Sequence, residues 1–223
     1  MITLVVDAST YVGTTAVLHD GEVLAEADAA MRGREAEALM PAVVAALSRA
    51  GVPVRNLSRV VCGGGPGSFT SLRIAASIAK GIAAGVGCQL YAISSLALLA
   101  AGDGAPTPGG YLAALDALRA EAYVGGFSVE ASGEIVLTMS QSLVRQQDVA
   151  GIARTLGAET IGPGQEIDRA PRARGVIALD AIIEANGPVD LGSWEPAYGR
   201  NAEAQVRWEA THGQPLPLGG TST

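Results

Sequence analysis

The stretch Cys62-Gly-Gly-Gly-Pro-Gly-Ser-Phe-Thr-Ser-Leu-Arg-Ile-Ala75 decides how this chain is read. Val60-Val61-Cys62 is the apolar end of a buried strand, and a glycine-proline turn follows it. Gly63, Gly64, Gly65 and Gly67 permit close backbone approach and positive φ, while Pro66 stiffens the middle. Ser68 or Thr70 is placed to cap the helix that comes next. Such a turn aims backbone N–H groups and the positive end of a helix dipole outward, the makings of an anion cradle. The plainer reading is that the glycines only let strand and helix pack tightly. No Gly-Lys-Ser/Thr follows, so this is no Walker loop, and the spacing does not fit a dinucleotide fingerprint.

The helix behind the turn carries two rows. Ile74, Ile78, Ile82 and Val86 recur every four residues, and Ala75, Ala79 and Ala83 run beside them. The isoleucine row is expected to face the sheet. The alanine row would let another helix approach closely, within the domain or across a subunit interface. An arginine at Ala79 would then block a partner and leave the fold intact. Lys80 is the only lysine in the chain and the only charge in this helix after Arg73.

The 223 residues, with 48% hydrophobic and 17% charged side chains, describe a folded protein of one or two domains. A net charge of −7 leaves no basic stripe to neutralise phosphates, so RNA contact would depend on a partner. No apolar run is expected to reach the length of a membrane span, and Leu4–Val6 lacks the flanks of a signal peptide. A cytoplasmic protein is expected, with no membrane contact. Cys62 and Cys88 fit buried, reduced thiols better than a disulfide, and His19 and His212 form no metal-binding spacing.

Along the chain, Ile2–Asp7 is a strand ending in an acid, and Gly13–Leu18 and Glu22–Ala29 are two more around the hairpin signal Asp20-Gly21. Arg34–Ala50 reads as a helix with Ala36, Met40, Val43, Leu47 and Ala50 on one face, and Pro41 as a kink or boundary. A strand near Arg59–Cys62, the helix Thr70–Val86, a strand Gln89–Ile93 and a short helix capped by Ser94 follow. Gly102-Asp-Gly-Ala-Pro-Thr-Pro-Gly-Gly110 is the best boundary. It divides a domain 1–103 from a second at 110–212, with 213–223 a flexible tail. Beyond the boundary the pattern restarts in shorter form. Tyr111–Asp116 is again a strand ending in Asp, and the hairpin Ala120–Val129 with Glu134–Met139 comes next. A helix near Gln147–Leu156, a strand Glu159–Ile161 and a helix near Asp180–Ala185 complete it. The fold class is α/β: two actin-like, ribonuclease-H-like domains with mixed sheets, the second abbreviated, as in the Hsp70, actin and sugar-kinase class.

Four segments together resemble the bacterial TsaB (YeaZ) family of tRNA threonylcarbamoyladenosine biosynthesis proteins. Val5-Val6-Asp7-Ala8-Ser9-Thr10 is similar to that family's Asp-Thr-Ser/Ala opening. Gly65-Pro66-Gly67-Ser68-Phe69-Thr70-Ser71-Leu72-Arg73 is close to its Gly-Pro-Gly-Ser-Phe-Thr-Gly-Leu/Val-Arg signature. Asp116-Ala-Leu-Arg-Ala-Glu-Ala-Tyr123 resembles its Asp-Ala-Arg-x-x-Glu-Val-Tyr segment, and Pro196-Ala-Tyr-Gly-Arg200 its Pro-x-Tyr-Leu-Arg. The chain departs at Ser71 (usually Gly), Leu118 (commonly Arg), Glu35 (often His) and Gly199 (Leu).

The resemblance implies a non-catalytic subunit that pairs with the paralogue TsaD. TsaD carries the metal-binding histidines and transfers threonylcarbamoyl to adenosine in tRNAs reading codons that begin with A. It implies TsaE as a further partner through the TsaB–TsaD complex, and tRNA contact only through that complex. It also implies an interface made by the two N-domain helices, here Met40, Val43, Leu47, Ala75, Ala79 and Ala83. An apolar patch without its partner makes a homodimer the expectation for the isolated chain. No tightly bound cofactor or metal is expected, and whether ATP or ADP sits at the junction with the partner complex stays open.

The residues themselves favour the non-catalytic side. Carbamoyl transfer from an adenylate needs an electrophile stabiliser and usually a metal, and no pair of closely spaced histidines is present. Asp7, Thr10 and Asp116 read as a vestigial nucleotide site, with Asp7 and Asp116 as hydrogen-bonded strand-end carboxylates. Ser68 has no supporting His, which removes a peptidase reading. Trp194 and Trp208 read as packing anchors. The alternative function is a stand-alone nucleotide-binding ATPase or small-molecule kinase of the same fold, which would need intact phosphate loops in both halves.

Overall fold

The computed structural model describes residues 1–32, 37–104, 107–199, 211 and 213. The chain opens as an antiparallel meander of β1 (Ile2–Asp7), β2 (Val12–His19) and β3 (Glu22–Ala30). Asp20 and Gly21 take φ of 50° and 82°, the two positive values that a tight hairpin turn with matching strand twist requires. Helix α1 (Leu39–Ala50) leads to β4 (Arg59–Gly63), which lies parallel to β1. Helix α2 (Phe69–Val86) crosses over to β5 (Gln89–Ile93), parallel to β4, and α3 (Ser95–Ala101) closes the half. The side chain of Ser94 accepts from the Leu96 amide and caps α3, as its sequence promises.

The second half repeats the plan. β6 (Gly109–Asp116), β7 (Glu121–Val129) and β8 (Ile135–Arg145) form a meander, α4 (Val149–Leu156) crosses to β9 (Glu159–Gly162), and β9 pairs β6 in parallel. A two-residue β10 (Ile167–Asp168) lies parallel to β9. The two sheets run β3-β2-β1-β4-β5 and β8-β7-β6-β9-β10, the same order with the same strand senses. The abbreviation is specific: where α2 joins β4 to β5, only residues 163–166 join β9 to β10. After β10 a 3₁₀ helix (Ala173–Leu179) runs into α5 (Asp180–Asn186).

Five layers result. Helices α1 and α2 cover one face of the first sheet, over Leu4, Val6, Val60, Cys62 and Leu90. The opposite faces of both sheets share one core with α3, the 3₁₀ helix and α5 between them. In it Val5, Val61 and Ile93 of the first sheet belong with Tyr111, Leu115 and Phe127 of the second. Helix α4 covers the far face of the second sheet through Val149 and Ala153. Arg59, at the start of β4, is buried and reaches Asp180 and Glu184 of α5 while its Nε donates to Thr3 Oγ1 at 3.0 Å. Arg172 Nη1 donates to Asp28 at 2.9 Å, a second polar tie between the 3₁₀ helix and β3.

Three expectations are corrected here. Helix α1 begins at Leu39, with Pro41 in its first turn where the missing N–H costs nothing. Residues 34–36, including Ala36 and Glu35, lie outside those described. Its buried stripe is Leu39, Ala42, Val43, Ala46 and Leu47, and Met40 is exposed. The face is rotated from the expected one because the stripe that packs on the first sheet runs through Leu39, Ala42 and Ala46. On α2 the rows are exchanged. Ala75, Ala79 and Ala83 are fully buried on the sheet, whereas Ile74, Ile78 and Ile82 are half-buried on its outer flank. Methyl side chains let the helix axis approach the sheet closely, so the small row takes the inner side. By length and hydropathy alone α2 could also cross a membrane, contrary to expectation. Its alanine face is seated on β1, β4 and β5, and it carries Arg73 and Lys80, so here it is a sheet-covering helix.

An arginine at Ala79 would be driven into the sheet. Ala79→Arg is expected to cost roughly 3 kcal/mol or more of folding stability, against about 1 kcal/mol for Ile78→Arg. Urea denaturation followed by circular dichroism measures both. Equal stabilities would overturn this orientation of α2.

Candidate functional site

The glycine loop, residues 63–68, hangs between three supports. The first is the carboxylate of Asp7, wholly buried at the end of β1. Its Oδ1 accepts from the Ser9 amide at 3.0 Å and from Ser9 Oγ at 2.8 Å, and its Oδ2 accepts from Ser95 Oγ at 2.6 Å. Ser95 Oγ in turn accepts from the Gly65 amide at 3.2 Å, and the Ser95 amide donates to the Gly65 carbonyl at 2.8 Å. The second support is the turn after β1, where the Ser9 carbonyl accepts from the Ser68 amide at 2.9 Å. A third comes from the end of the described chain, where the Ala197 amide donates to the Gly64 carbonyl at 2.7 Å.

Glycine is demanded by these approaches. A Cβ at Gly63 would stand 1.9 Å from Asp7 Oδ2, and one at Gly67, whose φ is 159°, 2.2 Å from the Ser9 carbonyl oxygen. The amides of Gly64, Gly65 and Ser68 are spent on Ile93, Ser95 and Ser9 respectively, so these three do not form an anion cradle. The signature glycines are thus explained by packing. Ser68 sits at the N-cap position of α2 without a side-chain cap bond; its Oγ instead accepts from Ser71 Oγ at 3.0 Å. Ser71, one of the expected departures, is thereby buried with a partner for its hydroxyl.

Burial pushes the Asp7 carboxyl above its ordinary value, and the hydrogen bonds from Ser95 and Ser9 pull it back only in part. Burial, with the neighbouring Asp7 charge, also lifts the Cys62 thiol above the usual thiol range, which makes it inert. Thr10 Oγ1 is engaged with the Val12 backbone. Asp116, the counterpart of Asp7 at the end of β6, is exposed and accepts from the Leu118 amide at 2.8 Å. Of the three residues expected as a vestigial nucleotide site, Asp7 is sealed in the first half, Thr10 bonds the Val12 backbone, and Asp116 stands at the surface of the second half. After Asp116, Leu118, Arg119 and Ala120 all take left-handed φ (62°, 56° and 58°), a turn invisible in the sequence. Bonds from Glu121 N to the Leu118 carbonyl and from Gln146 N to the Ala120 carbonyl hold it. His19 is exposed in the hairpin turn; His212, Arg200 and Trp208 lie outside the described residues.

Outside the loop, the outer flank of α2 forms a groove of about 450 Å³, with Phe69, Arg73, Ile74 and Ile78 on one side and Glu37 on the other. Met40 and Val44 of α1 are exposed as well. Of the residues expected at a partner interface, Val43, Leu47, Ala75, Ala79 and Ala83 are buried in the chain's own core, leaving Met40 at the surface. The sequence-based reading missed the segment Trp194–Gly199 as part of this site, although its Pro196-Ala-Tyr motif was the available signal. Trp194 packs partly buried against the core beneath α1 and α2, and Lys80 Nζ lies 5.8 Å from its ring centroid. The Tyr198 ring packs on Phe69 with centroids 4.5 Å apart. Gly199 takes φ 70°, and a Cβ there would stand 2.3 Å from the Tyr123 ring, so the position admits no side chain in this conformation.

Two mixed sheets of identical order, each opening on a strand that ends in Asp, define the duplicated fold of the actin, Hsp70 and sugar-kinase class. Comparison with known proteins narrows this. The family model described as TsaD, tRNA N6-adenosine threonylcarbamoyltransferase, matches residues 30–181. The tRNA threonylcarbamoyladenosine biosynthesis protein TsaB of Bacillus subtilis is 27% identical over 93% of this chain and 98% of its own length. TsaB of Escherichia coli K12 is 30% identical over 69% of this chain and 70% of its own. The solved structure of YeaZ from Pseudomonas aeruginosa superposes with a TM-score of 0.73 at 28% identity, covering 88% of this chain and 99% of that one. The chain belongs to this family, in its TsaB (YeaZ) branch.

Asp7 gives a pH signature. Its native pKa lies above the unfolded value near 3.8, so the native state holds the proton to higher pH than the unfolded chain. Its contribution therefore falls as pH rises from there through the raised native value, and the full burial penalty stands above it. Asp7→Asn lacks this titration. Urea unfolding across that window is expected to show wild-type stability declining relative to Asp7→Asn with rising pH, then running parallel. A difference that rises with pH would overturn the assignment.

Proposed function

We propose that this chain is a non-catalytic subunit in tRNA threonylcarbamoyladenosine formation, acting by heterodimerising with the catalytic paralogue TsaD. The observation that carries this is the contrast across α2. Behind the loop, Asp7 and the Gly64, Gly65 and Ser68 amides are consumed by the chain's own hydrogen bonds. In front of it, half-buried Ile74, Ile78 and Ile82 and exposed Met40 and Val44 remain available on α2 and α1. A site that has given up its phosphate contacts while keeping an apolar helix flank is better suited to protein contact than to catalysis. The interface is therefore redrawn to the outer flank of the two helices, in place of the alanine row.

Membership in the TsaB branch supports the pathway assignment, and the TsaD-type match supports TsaD as the related partner. TsaE would join through the TsaB–TsaD complex, in the cytoplasm, with any ATP or ADP held at the junction of subunits. A chain of net charge −7 would meet tRNA only through that assembly. The isolated chain would use the same apolar flank to form a homodimer. A stand-alone ATPase or sugar-type kinase, the competing reading, would need a phosphate loop with open amides, and the loop amides named above are closed.

Size-exclusion chromatography with light scattering, on this protein alone and mixed with TsaD from the same organism, tests the proposal. A one-to-one species carrying modification activity that TsaD alone lacks is the expected result. Ile78→Arg should abolish that species while remaining folded. No complex with or without nucleotide would return the chain to the nucleotide-binding reading.

A further inference from the structure

The second half of the molecule has no helix between its fourth and fifth strands, yet its last described segment reaches the docking flank. The chain leaves α5, and the Val189 amide donates to the Leu90 carbonyl at 2.8 Å beside β5. From there it passes Trp194 and lies over the glycine loop, where the Ala197 amide donates to Gly64 and the Ala197 carbonyl closes on Gly65. The next residue, Tyr198, lays its ring on Phe69. Its carbonyl is held by the hydroxyl of Tyr123, on β7 of the second sheet, at 3.2 Å. Phe69 is the first residue of α2 and a wall of the groove, and the Arg73 guanidinium lies 5.4 Å from its ring centroid.

We propose that Tyr198 is a positioning residue for partner recognition: it sets the ring of Phe69 at the head of the groove, and the second sheet anchors it through Tyr123. This rests on the reading of the α2 flank as the docking surface. The physical reason is that Phe69 is half-buried, lining the groove while its ring rests against Tyr198. Without a ring behind it, a half-buried phenylalanine at the first turn of a helix has several rotamers open to it, and ordering it would oppose binding. An aromatic partner at this distance in a tilted arrangement removes that freedom in advance. Through this strap the abbreviated half holds the first half's recognition surface in its binding shape.

The test compares Tyr198→Leu, Tyr198→Phe and Ile78→Arg in the full chain, each titrated into TsaD from the same organism by calorimetry. Hydrogen exchange of the free proteins is followed in parallel. Tyr198→Leu keeps apolar volume and is expected to bind about five- to ten-fold more weakly, with faster exchange confined to the start of α2. Tyr198→Phe keeps the ring and should restore wild-type affinity and exchange. If Tyr198→Leu binds like wild type while Ile78→Arg does not bind, the positioning role is wrong and the docking flank stands. If Ile78→Arg binds like wild type, the docking flank is wrong and this inference falls with it. Loss of affinity in Tyr198→Leu with exchange accelerated throughout the chain would assign Tyr198 to general stability and also overturn the proposal.

Discussion

One buried carboxylate organises the N-terminal half. Asp7 has no exposure and three donors, and each donor belongs to a segment whose position would otherwise be undetermined. Through Ser9 it shapes the turn after β1, whose carbonyl then receives the Ser68 amide. Through Ser95 it fixes the start of α3 and the Gly65 amide. The carboxylate costs desolvation energy, as its raised pKa states, and its hydrogen bonds offset only part of that cost. What it returns is a loop geometry that permits no side chain at Gly63 or Gly67, and so a fixed exit angle for α2. The carboxylate faces the hydroxyls of Ser9 and Ser95, with the Gly63 backbone pressed against it.

The duplication makes the specialisation visible. β4 ends in Gly63 and β9 ends in Gly162, and both press on the neighbouring strand: a Cβ at Gly162 would stand 2.0 Å from the Ala114 carbonyl oxygen. Gly65-Pro66-Gly67 is echoed by Gly162-Pro163-Gly164. In the first half that turn launches an eighteen-residue helix. In the second it returns within a few residues to β10, so no second recognition helix exists there. Asp116, relieved of a loop to hold, has moved to the surface and supports only the left-handed turn that follows it.

Much of this was legible in the sequence, and the failures share a cause. Strand ends at Asp7 and Asp116, the Asp20-Gly21 turn, the Ser94 cap and the glycine turn all rest on local chemistry. Each stands within a residue or two of its expected place. The alanine and isoleucine rows of α2 could not be ordered from periodicity, because both are apolar and lie side by side. Which one turns inward depends on how near the sheet allows the helix to come. Helix α1 failed similarly: its alanines fit more than one apolar stripe, and the sheet took the one that runs through Leu39. The left-handed turn at residues 118–120 carries no glycine or asparagine to announce it, and a bond from the distant Gln146 amide joins the local ones that hold it. The strap at 189–199 has no periodicity: a local turn held by Asp190 interrupts it, and its bonds at Val189 and Ala197 go to distant residues.

The arrangement of the core also bears on what the molecule can do. Enzymes that close around a ligand need two bodies joined by a hinge, each with its own packed interior. Here Val5 and Ile93 of one sheet and Tyr111 and Phe127 of the other belong to a single buried cluster, with α3 and the 3₁₀ helix filling the space between. Arg59 ties β4 to Asp180 and Glu184 of α5 across that layer, and Arg172 ties the 3₁₀ helix to Asp28 of β3. Opening the halves would expose the shared apolar layer and strip a buried guanidinium of its carboxylates, and a cost of that kind opposes a hinge cycle. A body held shut in this way gains from rigidity, since a surface kept in one shape loses less entropy when a partner binds. The constraint that holds the two halves together therefore suits the docking role proposed for the outer flank of α2.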